Sequence, residues 1–207
     1  MRSSSALPHV LWLGGSACAG KTTVSRLLAA RSGFPLYSCD DRFEEHRRRA
    51  DPARHPAFLR LADRPPEDLW TEPPAVQAEE LIRFYEDELE MVIGDLRTFP
   101  GPVLAEGAGL LPERVAEVIL DPHRAAWLIA DPAFRRRAYP ERGPFVAELL
   151  SRRDDPEATF QRWMERDDLL ARRLEEDARR LGFAVLPVDG SREPEEIAEE
   201  LAHRFEI

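Results

Sequence analysis

The chain has 207 residues and a mass of 23.6 kDa, enough for one sizeable core. It carries 39 acidic against 29 basic side chains, a net charge of -10, which argues against a broad DNA or RNA surface, so no nucleic-acid partner is expected. One of the 29 basic residues is Lys, Lys21; the other 28 are Arg, and Asn is absent. GC-rich codon usage explains the missing lysines, but not the one that remains. No window approaches the roughly 18–20 apolar residues of a membrane span, and Met1 to Pro8 lacks a signal-peptide apolar region. Cys18 and Cys39 form no disulfide framework or zinc spacing, and the five histidines are scattered. The expected setting is cytoplasmic and reducing, with no membrane partner.

In chain order, His9 to Gly14 reads as a buried parallel strand ending in glycines. Thr22 to Arg31 has helical spacing through Val24, Leu27 and Leu28. Leu36 to Cys39 is a second short strand, ending at Asp40-Asp41. The polar stretch from Glu44 to Pro74 holds Arg47-Arg48-Arg49 and six prolines, and reads as a helix followed by an irregular insertion. Ala75 to Phe99 is a long amphipathic helix, with Ala78, Ile82, Tyr85, Leu89, Val92 and Leu96 on its apolar face. Pro100-Gly101-Pro102 stops it.

Val103 to Gly107 is a third strand and turn, and Pro112 to Leu120 a short helix. Ala125 to Ala130 is the fourth strand, and Asp131-Pro132 can cap the helix after it. Tyr139 to Pro156 reads as a break rich in Arg, Gly and Pro. Glu157 to Leu181 is helical through Phe160, Met164, Leu170, Leu174 and Ala178. Ala184 to Asp189 is the fifth strand, placed at an edge by Pro187, and Glu193 to Phe205 is the closing helix. Alternating strands and helices predict an α/β domain with a parallel sheet.

Gly15-Ser16-Ala17-Cys18-Ala19-Gly20-Lys21-Thr22 matches the phosphate-loop pattern G-x-x-x-x-G-K-[ST], followed by Thr23. It stands between a strand and a helix, where the mechanism needs it. Glycines let backbone N–H groups converge on phosphate oxygens, and the following helix adds its positive dipole end. Lys21 would reach the β- and γ-phosphates of ATP, and the Thr22 hydroxyl would bind Mg2+. Arg substitutes poorly because its planar fork is not a compact point charge.

On this motif the chain resembles the P-loop nucleoside triphosphatases. Without Asn and a second Lys, the guanine-reading Asn-Lys-x-Asp motif of GTPases cannot exist here. Three features resemble the small P-loop kinases, the group of nucleoside, nucleotide, shikimate and gluconate kinases and chloramphenicol phosphotransferase. Asp40 lies about twenty residues after the loop, an Arg-rich segment follows the fourth strand, and Pro187-Val-Asp-Gly190-Ser191 precedes the last helix. The resemblance implies a five-stranded parallel sheet of order 2-3-1-4-5 with a helical lid. It implies one domain over 1–207, with 44–74 as an acceptor-side insertion and 135–156 as the lid.

The activity implied is ATP-dependent transfer of a phosphoryl group to a hydroxyl of a small metabolite or natural product. A nucleoside or nucleotide kinase and an ATPase switch without an acceptor are the alternatives. Asp40 is the preferred base and a metal contact with Thr22. Asp41 is an acceptor contact or a helix cap. Glu106 and Gly107 are acceptor contacts, or Glu106 is a solvated turn residue. Arg135 and Arg142 are favoured as catalytic lid arginines, and Gly190 and Ser191 as the adenine cradle. Arg47 to Arg49 form a basic helix face or meet an anionic acceptor. Phe58 and Trp70 cover an acceptor or build a satellite core. Cys18 is a reactive thiol or a small loop side chain. A monomer or homodimer is expected.

Overall fold

The computed structural model describes residues 6–65, 68 and 70–207. Its centre is one parallel sheet of β1 (Val10–Gly15), β2 (Leu36–Ser38), β3 (Val103–Glu106), β4 (Ala125–Ala130) and β5 (Ala184–Val188). The spatial order is β2-β3-β1-β4-β5, the order the resemblance implies. β1 lies in the middle, with Leu13 opposite Glu106 of β3 and Gly15 opposite Leu128 of β4. β1, β3 and β4 are buried throughout, so their sequences read as apolar runs rather than alternation. β5 is an edge strand, and Pro187 is exposed there.

The strand period of two sends alternate residues of β1 to opposite faces. Leu11 and Leu13 pack with Leu104, Leu128 and Leu201, beneath α1 (Lys21–Ser32) and α9 (Pro194–Phe205). Val10 and Trp12 pack with Leu89, Val92, Leu96, Trp127 and Leu174, beneath α4 (Pro74–Leu96) and α8 (Pro156–Arg180). No helix among the described residues is long and apolar enough to cross a membrane.

The region 44–74 is more ordered than its composition suggests. α2 (Cys39–Arg49) begins directly after β2, so Asp40 and Asp41 stand in its first turn rather than at a strand end. Ser38 occupies the N-cap position, which removes the cap role from Asp41. Two acids in a first turn suit the helix dipole. α3 (Pro56–Ala62) follows, and its Phe58 stacks on Phe84 of α4 at 4.8 Å. Phe58 therefore belongs to a satellite core with Met91. Trp70 is also buried, stacked on Trp163 of α8 at 4.6 Å.

The expected break at 139–156 contains a 3-10 turn over Tyr139–Arg142 and a helix, α7 (Pro144–Ser151). The reason is proline. It opens α3, α4, α5 (Pro112–Ala116), α6 (Pro132–Ala138), α7, α8 and α9. At a first helical position proline loses no hydrogen bond and its φ is already helical. α5 ends at Ala116, shorter than the expected Pro112 to Leu120. Asp131 does cap α6, accepting from the N–H groups of Ala133 and Phe134.

One polar network ties α2 to α4. His46 is fully buried, with Nδ1 3.2 Å from Glu88 and Nε2 3.1 Å from Asp95. The Tyr37 hydroxyl donates to Asp95 at 2.7 Å, and Arg49 donates at 2.5 Å. Burial pushes the Asp95 carboxyl up, but the bonds from Tyr37, Arg49 and His46 outweigh it and hold it below the usual range. A depressed carboxylate stabilises the fold above its unfolded pKa of about 3.9 and loses that effect as pH falls through the folded value. Asp95→Asn should therefore be less stable at pH 7 and lose less further stability on acidification. Urea unfolding at a series of pH values checks this, and parallel pH curves for both proteins would contradict it.

Candidate active site

β1 delivers the chain to a loop clamped against β4. Gly15 has φ +136°, and a Cβ there would lie 2.0 Å from the Leu128 carbonyl oxygen. Only glycine fits both restraints. The Ser16 N–H donates to Leu128 O at 2.9 Å, and its Oγ accepts from the Ala130 N–H at 2.8 Å. The Ser16 carbonyl in turn accepts from Lys21 Nζ at 2.7 Å. Cys18 and Gly20 are left-handed, at φ 60° and 73°, which curls the loop onto itself. Gly20 is the N-cap of α1 and brings no side chain to its free N–H groups. The first turn also contains no acid, so that end stays electropositive.

Above the loop lies a cavity of about 430 Å3. Ser16, Ala17, Cys18, Ala19, Gly20, Lys21, Thr22 and Thr23 form its floor, and Asp40, Glu106 and Arg142 also line it. Glu106 is 3% exposed, so it is not a solvated turn residue, and its Oε1 accepts from the Thr22 hydroxyl at 3.3 Å. Burial raises the Glu106 pKa, against the pull of Lys21. Burial lowers the Lys21 pKa, while Glu106 and Asp40 favour its charge. Each charge thus opposes the effect of burial on the other. Arg142 stands over the Tyr139 ring at 5.4 Å and over Phe145 at 5.9 Å. Cys18 is pushed up by burial, with Arg142 opposing, which makes it a loop side chain rather than an activated thiol.

Other candidates lie outside this cavity. Arg135 is 1% exposed; it donates to Asp168 at 2.6 Å and to the Ala130 carbonyl at 2.7 Å. It braces α6 against β4 and α8. Asp41 is exposed and is not part of the lining. Gly107 packs on Cys39, where a Cβ would meet Sγ at 2.8 Å; its neighbour Ala108 lines the cavity instead. Gly190 and Ser191 form a turn after β5, in which Asp189 accepts from the Ser191 N–H and hydroxyl. A Cβ on Gly190 would meet Phe134 at 2.9 Å.

Five lining residues come from helix faces that read as core or as surface. Leu81 and Tyr85 lie on α4, and Arg166, Asp167 and Leu170 on α8. Asp167 carried a signal. It sits three residues after Met164 and three before Leu170, so a carboxylate interrupts the apolar stripe of α8. It is 4% exposed and accepts from the Tyr139 hydroxyl at 2.6 Å.

Thr22, Asp40 and Glu106 offer a hydroxyl and two carboxylates at one end of the cavity. Hard oxygen donors of this kind fit Mg2+, which takes one or two carboxylates together with substrate phosphates.

Arg135→Ala should cost about 3–5 kcal/mol of stability, because Asp168 and the Ala130 carbonyl lose their partner. Arg142→Ala should stay within about 1 kcal/mol, the scale of exposed cation–π contacts. Chemical unfolding of both variants checks the contrast, and the reverse order would overturn these placements.

The chain matches no protein-family model and no curated protein. It is similar to solved shikimate kinases. That of Bacteroides thetaiotaomicron superposes with a TM-score of 0.50 at 18% identity, over 96% of this chain and 98% of that one. That of Aquifex aeolicus gives 0.48 at 19% identity, over 95% and 96%. That of Acinetobacter baumannii, in complex with shikimate, gives 0.46 at 18% identity, over 96% and 93%. The likeness is one of fold: a five-stranded parallel sheet flanked by helices, as in the P-loop kinases.

Proposed function

We propose that this protein is a kinase that moves the γ-phosphoryl group of Mg·ATP to a hydroxyl of a small molecule. One observation carries the reading. The phosphate loop, the Lys21 ammonium, the Asp40 and Glu106 carboxylates and the Arg142 guanidinium converge on one cavity. An ATPase switch needs the loop and a metal site. It has no use for the apolar lining of Leu81, Tyr85 and Leu170 in the same cavity.

The roles follow from charge and position. The loop N–H groups and the start of α1 bind phosphate oxygens. Lys21 neutralises charge between the β- and γ-phosphates. Thr22, Asp40 and Glu106 would hold Mg2+, which would supply positive charge against the phosphates. Asp40 accepts the proton of the acceptor hydroxyl as that oxygen bonds to phosphorus and the bond to the ADP oxygen breaks. Arg142, on the turn between α6 and α7, covers the transferring group and helps exclude water. The region 135–156 thus serves as the lid, with Arg135 as a strut at its root.

Asp40→Asn should lower acceptor-dependent ADP release about 10²–10⁴-fold, the usual worth of a positioned base. Its affinity for metal-free ATP should stay within a few-fold of wild type, since the loop and Lys21 are untouched. Titration calorimetry and a coupled ADP assay separate the two effects. Unchanged transfer would move the base role to Glu106. Hydrolysis indifferent to every alcohol would favour the switch.

A further inference from the structure

Arg142 lines the cavity from an exposed position on its turn. A long side chain there has many rotamers, and only some of them aim its guanidinium at a phosphate. What lies under it is the Tyr139 ring, whose centre is 5.4 Å from the guanidinium carbon. Tyr139 and Arg142 are the first and last residues of one 3-10 turn between α6 and α7.

The Tyr139 ring is itself held from its other end. It is 3% exposed, and its hydroxyl donates to Asp167 at 2.6 Å and accepts from Trp163 Nε1 at 3.1 Å. Both partners belong to α8, and Trp163 is stacked in turn on Trp70. Burial and the Asp167 charge push the Tyr139 pKa up, so its hydroxyl remains a donor. The other oxygen of Asp167 accepts from Nε and Nη2 of Arg166, at 2.9 and 2.6 Å. Each oxygen of Asp167 thus already carries a bond, which marks it as an anchor rather than a second base. Ala17 and Cys18 of the phosphate loop pack against the same cluster of Tyr139, Trp70 and Trp163. The turn that carries Arg142 is therefore fixed to α8 and to the loop that would hold the phosphates.

We infer that Tyr139 is a positioning residue: bonded to Asp167 and Trp163, it holds its ring where Arg142 is aimed at the transferring phosphoryl group. The inference rests on the kinase reading above for the role of Arg142. The ring contact itself is weak, as exposed cation–π contacts are. Its value is geometric, since a misplacement of about 1 Å can cost about 10²-fold in rate.

The test is a double-mutant cycle in the full-length protein. Tyr139→Phe removes the hydroxyl and keeps the ring, and Arg142→Ala removes the cation. The probe is Mg·ADP with aluminium fluoride, a mimic of the transferring group, titrated by calorimetry beside Mg·ADP alone. Tyr139→Phe should weaken the fluoride complex about tenfold and Mg·ADP alone by no more than about twofold. On the Arg142→Ala background, the same substitution should weaken the fluoride complex by no more than about twofold. A similar loss on both backgrounds, a similar loss with Mg·ADP alone, or no loss at all would overturn the positioning role. If Tyr139→Phe does not fold, Asp167→Asn, which weakens the acceptor of that hydroxyl, takes its place in the cycle. Wild-type protein that gains no affinity from fluoride would overturn the aim given to Arg142, and this inference with it. The kinase reading is judged separately, by alcohol-dependent ADP release from the wild type. Coupling without any such release would sink that reading and leave the link between Tyr139 and Arg142 standing.

Discussion

Everything at the site hangs on Ser16. Its N–H and its hydroxyl oxygen fasten the phosphate loop to the backbone of β4, at Leu128 and Ala130. Its carbonyl receives the Lys21 ammonium. One buried residue thus sets the height of the loop above the sheet and the aim of its cation. Gly15 makes the clamp possible, because any Cβ there would collide with the same Leu128 carbonyl. The sheet order matters for the same reason. β1 sits between β3 and β4, so the loop can be fixed on one side while Glu106 approaches from the other.

The cavity gathers charges of both signs. Near the loop, Lys21 and Arg142 have no carboxylate ion pair among the described residues, as phosphate binding requires. In the same cavity Arg166 is held by Asp167, and Leu81, Tyr85 and Leu170 supply apolar lining. The net charge of -10 does not work against a phosphate site of this kind. The positive groups are few and local, and low local dielectric strengthens the desolvated Lys21, while Arg142 is exposed on its turn.

Much of this was legible in the sequence, for identifiable reasons. Buried parallel strands leave apolar runs, and five of them were visible. The phosphate loop is a strict pattern with one Lys in it. Proline misled at 139–156 because its breaking role inside a helix and its favoured place at a helix start look alike in sequence. Asp40 reads as a strand end and lies in the first turn of α2, because β2 stops at Ser38, one residue before the expected Cys39; it still lines the cavity. Arg135 could not be separated from Arg142 by spacing. The distinction is that one meets Asp168 and a carbonyl in the interior, while the other is exposed on a turn. Tyr85 and Leu170 sit on apolar stripes, and no pattern tells core from cavity wall. Asp167 broke its stripe and was the one readable hint.

The central claim is that the chain keeps one lysine because transferring phosphate needs a compact charge at that place. Lys21→Arg tests it most directly, since it preserves the charge and alters only its shape. Mg·ATP binding by titration calorimetry and acceptor-dependent turnover should both fall, turnover by about 10²-fold or more, equal to about 2.7 kcal/mol of lost transition-state stabilisation. The unfolding midpoint should hardly move. Wild-type turnover from Lys21→Arg would contradict the account.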